Sequence, residues 1–159
     1  TPLVADSTGT CTGSLRLSWK AHADLDLHAW MIGGNGEIQH VYFGRMAARI
    51  GSAGVELDCD VRDEQGVETI TWRETDGVEM EIAVHLYAGT KSIAATDPTV
   101  EVLVGGARWS LTPPPDQHGT WWRLIGIGRA DSGIRLWNVT ADCPPIEVTK
   151  ALDQGEERT

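Results

Sequence analysis

In the run Met80-Glu81-Ile82-Ala83-Val84-His85-Leu86-Tyr87 one residue in two is strongly apolar, without a break. Successive side chains of an extended strand leave opposite faces. Met80, Ile82, Val84 and Leu86 therefore share one side, and Glu81, Ala83, His85 and Tyr87 the other. A period of two calls for a sheet with one buried face, and such a sheet needs a second layer to cover it. Comparable β-rich runs occupy residues 15–19, 25–32, 38–43, 55–61, 69–72, 100–104, 108–111, 121–127 and 134–139, while helical periodicity is almost absent. The pattern predicts an all-β protein, an antiparallel two-sheet β-sandwich of about ten strands.

The 159 residues suit one such domain, with a core over about 13–145 and a loose polar tail over 146–159. Gly33-Gly34-Asn35-Gly36 reads as a hairpin loop, because Gly and Asn tolerate positive φ, and residues 129–133 read as another. Pro113-Pro114-Pro115 supplies no ladder donor and predicts an exposed crossing or a sheet edge. Thr1 opens the chain without an initiator Met or a signal-like apolar segment, which leads us to expect a processed product or an excised domain. Thirteen Lys and Arg against 23 Asp and Glu leave a net charge of −10, which argues against a nucleic-acid partner and suits the holding of cations. No apolar run approaches the roughly 18–20 residues of a membrane span.

Three cysteines are too few for a disulfide scaffold. Cys59 falls on the same strand face as Leu57 and Val61 and reads as a buried, inert thiol. Cys11 and Cys143 lie outside the first and last strong strand runs, so a bridge between them is open in an oxidising compartment.

The chemistry concentrates in Ala23-Asp24-Leu25-Asp26-Leu27-His28-Ala29-Trp30. With Leu25, Leu27 and Ala29 turned to the core, strict alternation lines Asp24, Asp26 and His28 along the other face. A second Asp-x-Asp, Asp58 and Asp60, stands on another strand, and Glu68 stands at the mouth of the next. Two carboxylates about 4 Å apart repel by roughly 4 kcal/mol at an effective dielectric near 20, so a converging cluster calls for a cation. Hard oxygen donors with flexible reach favour Ca²⁺, although no EF-hand loop is present.

Leu17-Ser18-Trp19, the Ala23–His28 segment, Gly34-Asn35-Gly36-Glu37 and Tyr42-Phe43-Gly44 resemble a bacterial domain family of unknown function found in exported proteins. That family carries an Ala-Asp-Leu-Asp-Leu-His-Val strand, then a Leu-Asp-x-Asp strand and a Gly-Pro-Glu step. This chain has Leu57-Asp58-Cys59-Asp60 and Gly66-Val67-Glu68, with Val67 where the family has Pro. Trp121-Trp122 is similar to the family's late Gly-x-Trp-Trp strand. The Asp-Leu-Asp-Leu strand is also similar to that of the calcium-binding tellurium-resistance stress proteins. The resemblance implies a sandwich with Ca²⁺ at one end, held by Asp24, Asp26, Asp58, Asp60 and Glu68, and an exported or cell-surface setting.

The expected function is therefore a non-enzymatic, calcium-binding interaction module of a larger bacterial protein. Its partner would be a protein, a glycan or an anionic surface bridged by the ion. Two alternatives stand beside it. Seven Trp against one Phe raise a carbohydrate-binding module. Trp19, Trp72 and Trp109 fall in apolar alternation and should fill the core, so an exposed sugar platform would be made of Trp30 and Trp122, with His28 beside them. One of Trp121 and Trp122 must face away from the core. A hydrolase would use His28 as a base beside Asp26, but no serine sits on a nucleophile elbow. His28 is more plainly an ordinary strand histidine, since Ca²⁺ rarely takes imidazole. His22, His40, His85 and His118 show no pairwise ligand spacing and read as ordinary.

Overall fold

The structure, a computed structural model, describes residues 12–20, 23–58, 66–75, 77–88, 92–115, 119–128 and 133–146. Eleven strands run β1 Gly13–Trp19, β2 Asp24–Gly33, β3 Ile38–Val41, β4 Ala47–Ile50, β5 Ala53–Leu57, β6 Gly66–Arg73, β7 Val78–Ala88, β8 Thr99–Val104, β9 Ala107–Leu111, β10 Trp121–Ile127 and β11 Ile134–Ala141. They form a six-stranded sheet, β4-β5-β6-β1-β8-β9, and a five-stranded sheet, β11-β10-β7-β2-β3. Every pairing of these strands is antiparallel. The chain is the all-β, two-sheet sandwich that its alternation predicts. No helix among the described residues is long and apolar enough to cross a membrane.

Alternation decides which side chains meet between the sheets. Leu15, Leu17 and Trp19 of β1 and Ile70 and Trp72 of β6 face Leu25, Leu27, Ala29 and Met31 of β2 and Met80, Ile82, Val84 and Leu86 of β7 in one continuous core. Each large aliphatic chain taken fully out of water adds roughly 1.5–3 kcal/mol to folding. Trp109 packs against the same cluster from β9, so Trp19, Trp72 and Trp109 occupy the places that their patterning assigns. The hairpin loop between β2 and β3 turns at Gly36, whose φ of 92° suits a residue with no Cβ. The three prolines follow β9, an edge strand, and lead to β10 in the other sheet.

Three differences from the sequence expectation have local causes. β4 was not anticipated: Ala47-Ala48-Arg49-Ile50 has little β propensity of its own and is ordered by pairing with β5. β7 is not bare on its outer side, for Ala83 is as fully buried as Val84. At the head of β2 the pairing register slips: Asp24 stands opposite Ala88 and Leu25 opposite Leu86, so Tyr87 is an extra residue on β7 and it is β7 whose alternation is interrupted there. Cys143 is an exposed free thiol. Cys11, Cys59 and residues 147–159 of the tail lie outside the described residues.

Candidate metal centre

The outer face of the five-stranded sheet carries the candidate site. β2, β7 and β10 lie side by side, and their register sets Asp26 opposite His85 and His85 opposite Trp121. His28, two residues beyond Asp26, shares that face and reaches His85 on the diagonal. One ligand atom each from Asp26, His28 and His85 lies within 4.8 Å of the other two. Around a tetrahedral ion with bonds near 2.0–2.1 Å, ligand atoms stand about 3.4 Å apart, so a modest inward movement completes this side of a coordination sphere. The trio is sheltered, with Asp26 only 2% and His28 6% exposed, while His85 is half-buried.

Aromatic rings hold the imidazoles in place. His85 stacks on Trp121 with centroids 4.3 Å apart, and Trp121 meets His28 edge-on at 4.8 Å. On the far side of His28, its Nδ1 lies 2.9 Å from Nε2 of His40 on β3. The His40 ring is itself stacked between Trp30, at 4.8 Å, and Tyr42, at 4.4 Å. Contacts of this kind are worth about 0.5–1.5 kcal/mol each beyond the area they bury. Burial, helped by the positive charge of Arg45, pushes the His40 pKa from 6.5 down to about 4, so His40 is neutral near pH 7.

The residues marked out by sequence divide between this centre and other duties. Asp26 and His28 belong to it. Asp24, Asp58 and Glu68 join no group of three metal-ligating residues among the described residues, and Asp60 lies outside them. Asp58 is exposed at the end of β5, where its backbone N–H donates to the Thr69 carbonyl at 2.7 Å. Glu68 alternates with Ile70 and Trp72 on the inner side of β6 and is 1% exposed; its Oε1 accepts the backbone N–H of Leu27 at 3.0 Å. β3 pairs with β2 only from Ala29 onward, so beyond its end the carboxylate takes over a ladder bond.

The tryptophans require a correction. Trp122 is fully buried among the core residues, with Nε1 donating to Asn138 Oδ1 at 2.7 Å. Trp30 does lie on the outer face, but it is only 1% exposed. Neither supplies the exposed platform expected of a sugar-binding surface. Of the two adjacent tryptophans it is Trp121 that faces outward, against His85.

Sequence reasoning passed over His85 because its partners lie 57 and 59 positions away, and only strand pairing brings them together. A usable signal was present: His85 stands on the less apolar side of β7's alternation, as Asp26 and His28 stand on the polar side of β2's. No protein-family model matches the chain, and neither a curated protein nor a solved structure does.

Proposed function

We propose that this chain is a metal-binding sandwich module in which Asp26, His28 and His85 hold a divalent ion of the zinc class. The observation that carries the reading is the sheltered approach of one carboxylate and two imidazoles on neighbouring strands. Imidazole nitrogen suits Zn²⁺, Ni²⁺ or Cu²⁺, whereas Ca²⁺ seeks six to eight oxygens. The donor set therefore favours the zinc class over the calcium to which the acidic motifs point. The module acts by binding rather than by turnover. His85 is the least sheltered of the three, and its ring meets the half-exposed Tyr87 at 6.3 Å, so an anionic group of a protein or glycan partner would approach the ion from that side.

Thermal melts of the chain in chelator, in Zn²⁺ and in Ca²⁺ test this. At about 100 times its dissociation constant, Zn²⁺ should add roughly 2.7 kcal/mol to the unfolding free energy, and His85→Ala should remove that gain. Superimposed chelator and zinc melts overturn the reading. A calcium response abolished by Asp24→Asn but indifferent to His85→Ala replaces it with the acidic calcium site.

A further inference from the structure

We infer that His40 is a positioning residue that accepts the Nδ1 proton of His28 and so presents His28 Nε2 to the metal. The inference rests on the reading of Asp26, His28 and His85 as ligands. A neutral imidazole carries one N–H and one lone pair, and a metal must take the lone pair. Nδ1 of His28 lies 2.9 Å from Nε2 of His40, a hydrogen-bond distance. With Nδ1 committed to that bond as donor, the lone pair of His28 is on Nε2. His40 must then receive through its own Nε2 and carry its proton on Nδ1.

His40 is well held for this task. It stands directly opposite Trp30 in the β2–β3 ladder, so its backbone is fixed by strand pairing. Its ring lies within 7° of parallel to Trp30 and within 16° of parallel to Tyr42. Two flat neighbours restrict rotation about the side-chain bonds, and the acceptor atom stays on the His28 side. The His28 ring also stacks on Tyr42 at 5.7 Å, so one aromatic column orients ligand and partner together. A residue that fixes a ligand's tautomer in this way typically changes metal affinity by about 10–100-fold when it is removed.

Zinc titration of the full chain and of two variants tests the inference, together with imidazole NMR of the wild-type protein. His40→Phe keeps a flat ring but offers no acceptor, and it should weaken zinc binding by about 10–100-fold. His40→Gln restores an acceptor and should recover most of the loss. The nitrogen and carbon-bound proton shifts of His28 should report an Nδ1–H tautomer both with and without zinc, a reading that needs no variant to fold. An Nε2–H tautomer on His28, or a His40→Phe affinity within about twofold of wild type, overturns the role of His40 while leaving the metal site standing. A wild-type chain that takes up no zinc overturns both.

Discussion

The two sheets of this sandwich have similar inner faces and very different outer ones. The outer residues of the six-stranded sheet are mostly short or charged and in reach of water: Arg16, Arg49, Glu56, Thr71, Arg73, Arg108 and Ser110 are exposed, and Ser14, Val67, Thr69, Glu101 and Leu103 are half-buried. They sit in cross-strand positions of the ordinary solvated kind, with Arg16 opposite both Thr69 and Glu101. On the five-stranded sheet the corresponding places hold Asp26, His28, Trp30 and Ala83, all buried. The same alternation therefore has two meanings. Where the outward positions are small or charged, it describes a surface. Where they are rings and ionisable groups withdrawn from water, it describes a second packed layer, and burying an imidazole or carboxylate there requires partners.

The largest expected effect follows from that contrast. Trp30→Ala should lower stability by about 3–5 kcal/mol although Trp30 is not between the sheets, whereas Arg16→Ala on the other outer face should change it by no more than about 0.5 kcal/mol. Equal effects in denaturant titrations would erase the distinction between the two faces. A pH series sharpens it next. In the metal-free chain, His40 takes up a proton near 6.5 when unfolded but only near 4 when folded. Stability should therefore fall as pH drops through that interval and flatten below it. The part due to His40 is on the order of 1–3 kcal/mol and should be missing from His40→Phe. A His40→Phe profile parallel to that of wild type would show that the ring column does not resist protonation. Glu68→Ala probes the join between the layers: it strands the Leu27 N–H and should lower stability by about 1–3 kcal/mol, with Glu68→Gln closer to wild type. Equal losses from both would mean that the contact is packing and not a hydrogen bond.

Much of the architecture was legible because burial on one side of a strand writes itself into the sequence every second residue. β7 and β10 could be read almost to their ends from Met80–Tyr87 and Trp121–Ile127. β4 could not, since Ala47-Ala48-Arg49-Ile50 owes its conformation to a neighbour. The site was half legible. Asp26 and His28 share a strand, and alternation alone places them on one face. Their junction with His85 depends on register, which is a property of two strands and is recorded in neither. The acidic motifs divide for a related reason. Asp26 meets His28 and His85, whereas Asp24 and Asp58 join no group of three metal-ligating residues among the described residues. Glu68, read as a ligand, serves the backbone of the opposite sheet.

That last contact has a wider consequence. Layers that touch only through greasy side chains are free to shear slightly against each other, because apolar contact has no preferred direction. A glutamate rooted in one layer and gripping the main chain of the other removes that freedom where it grips, at Leu27, between Asp26 and His28. Any ion held by those two neighbours would have its cradle aligned from beneath, through the middle of the molecule, rather than by the loops at its rim.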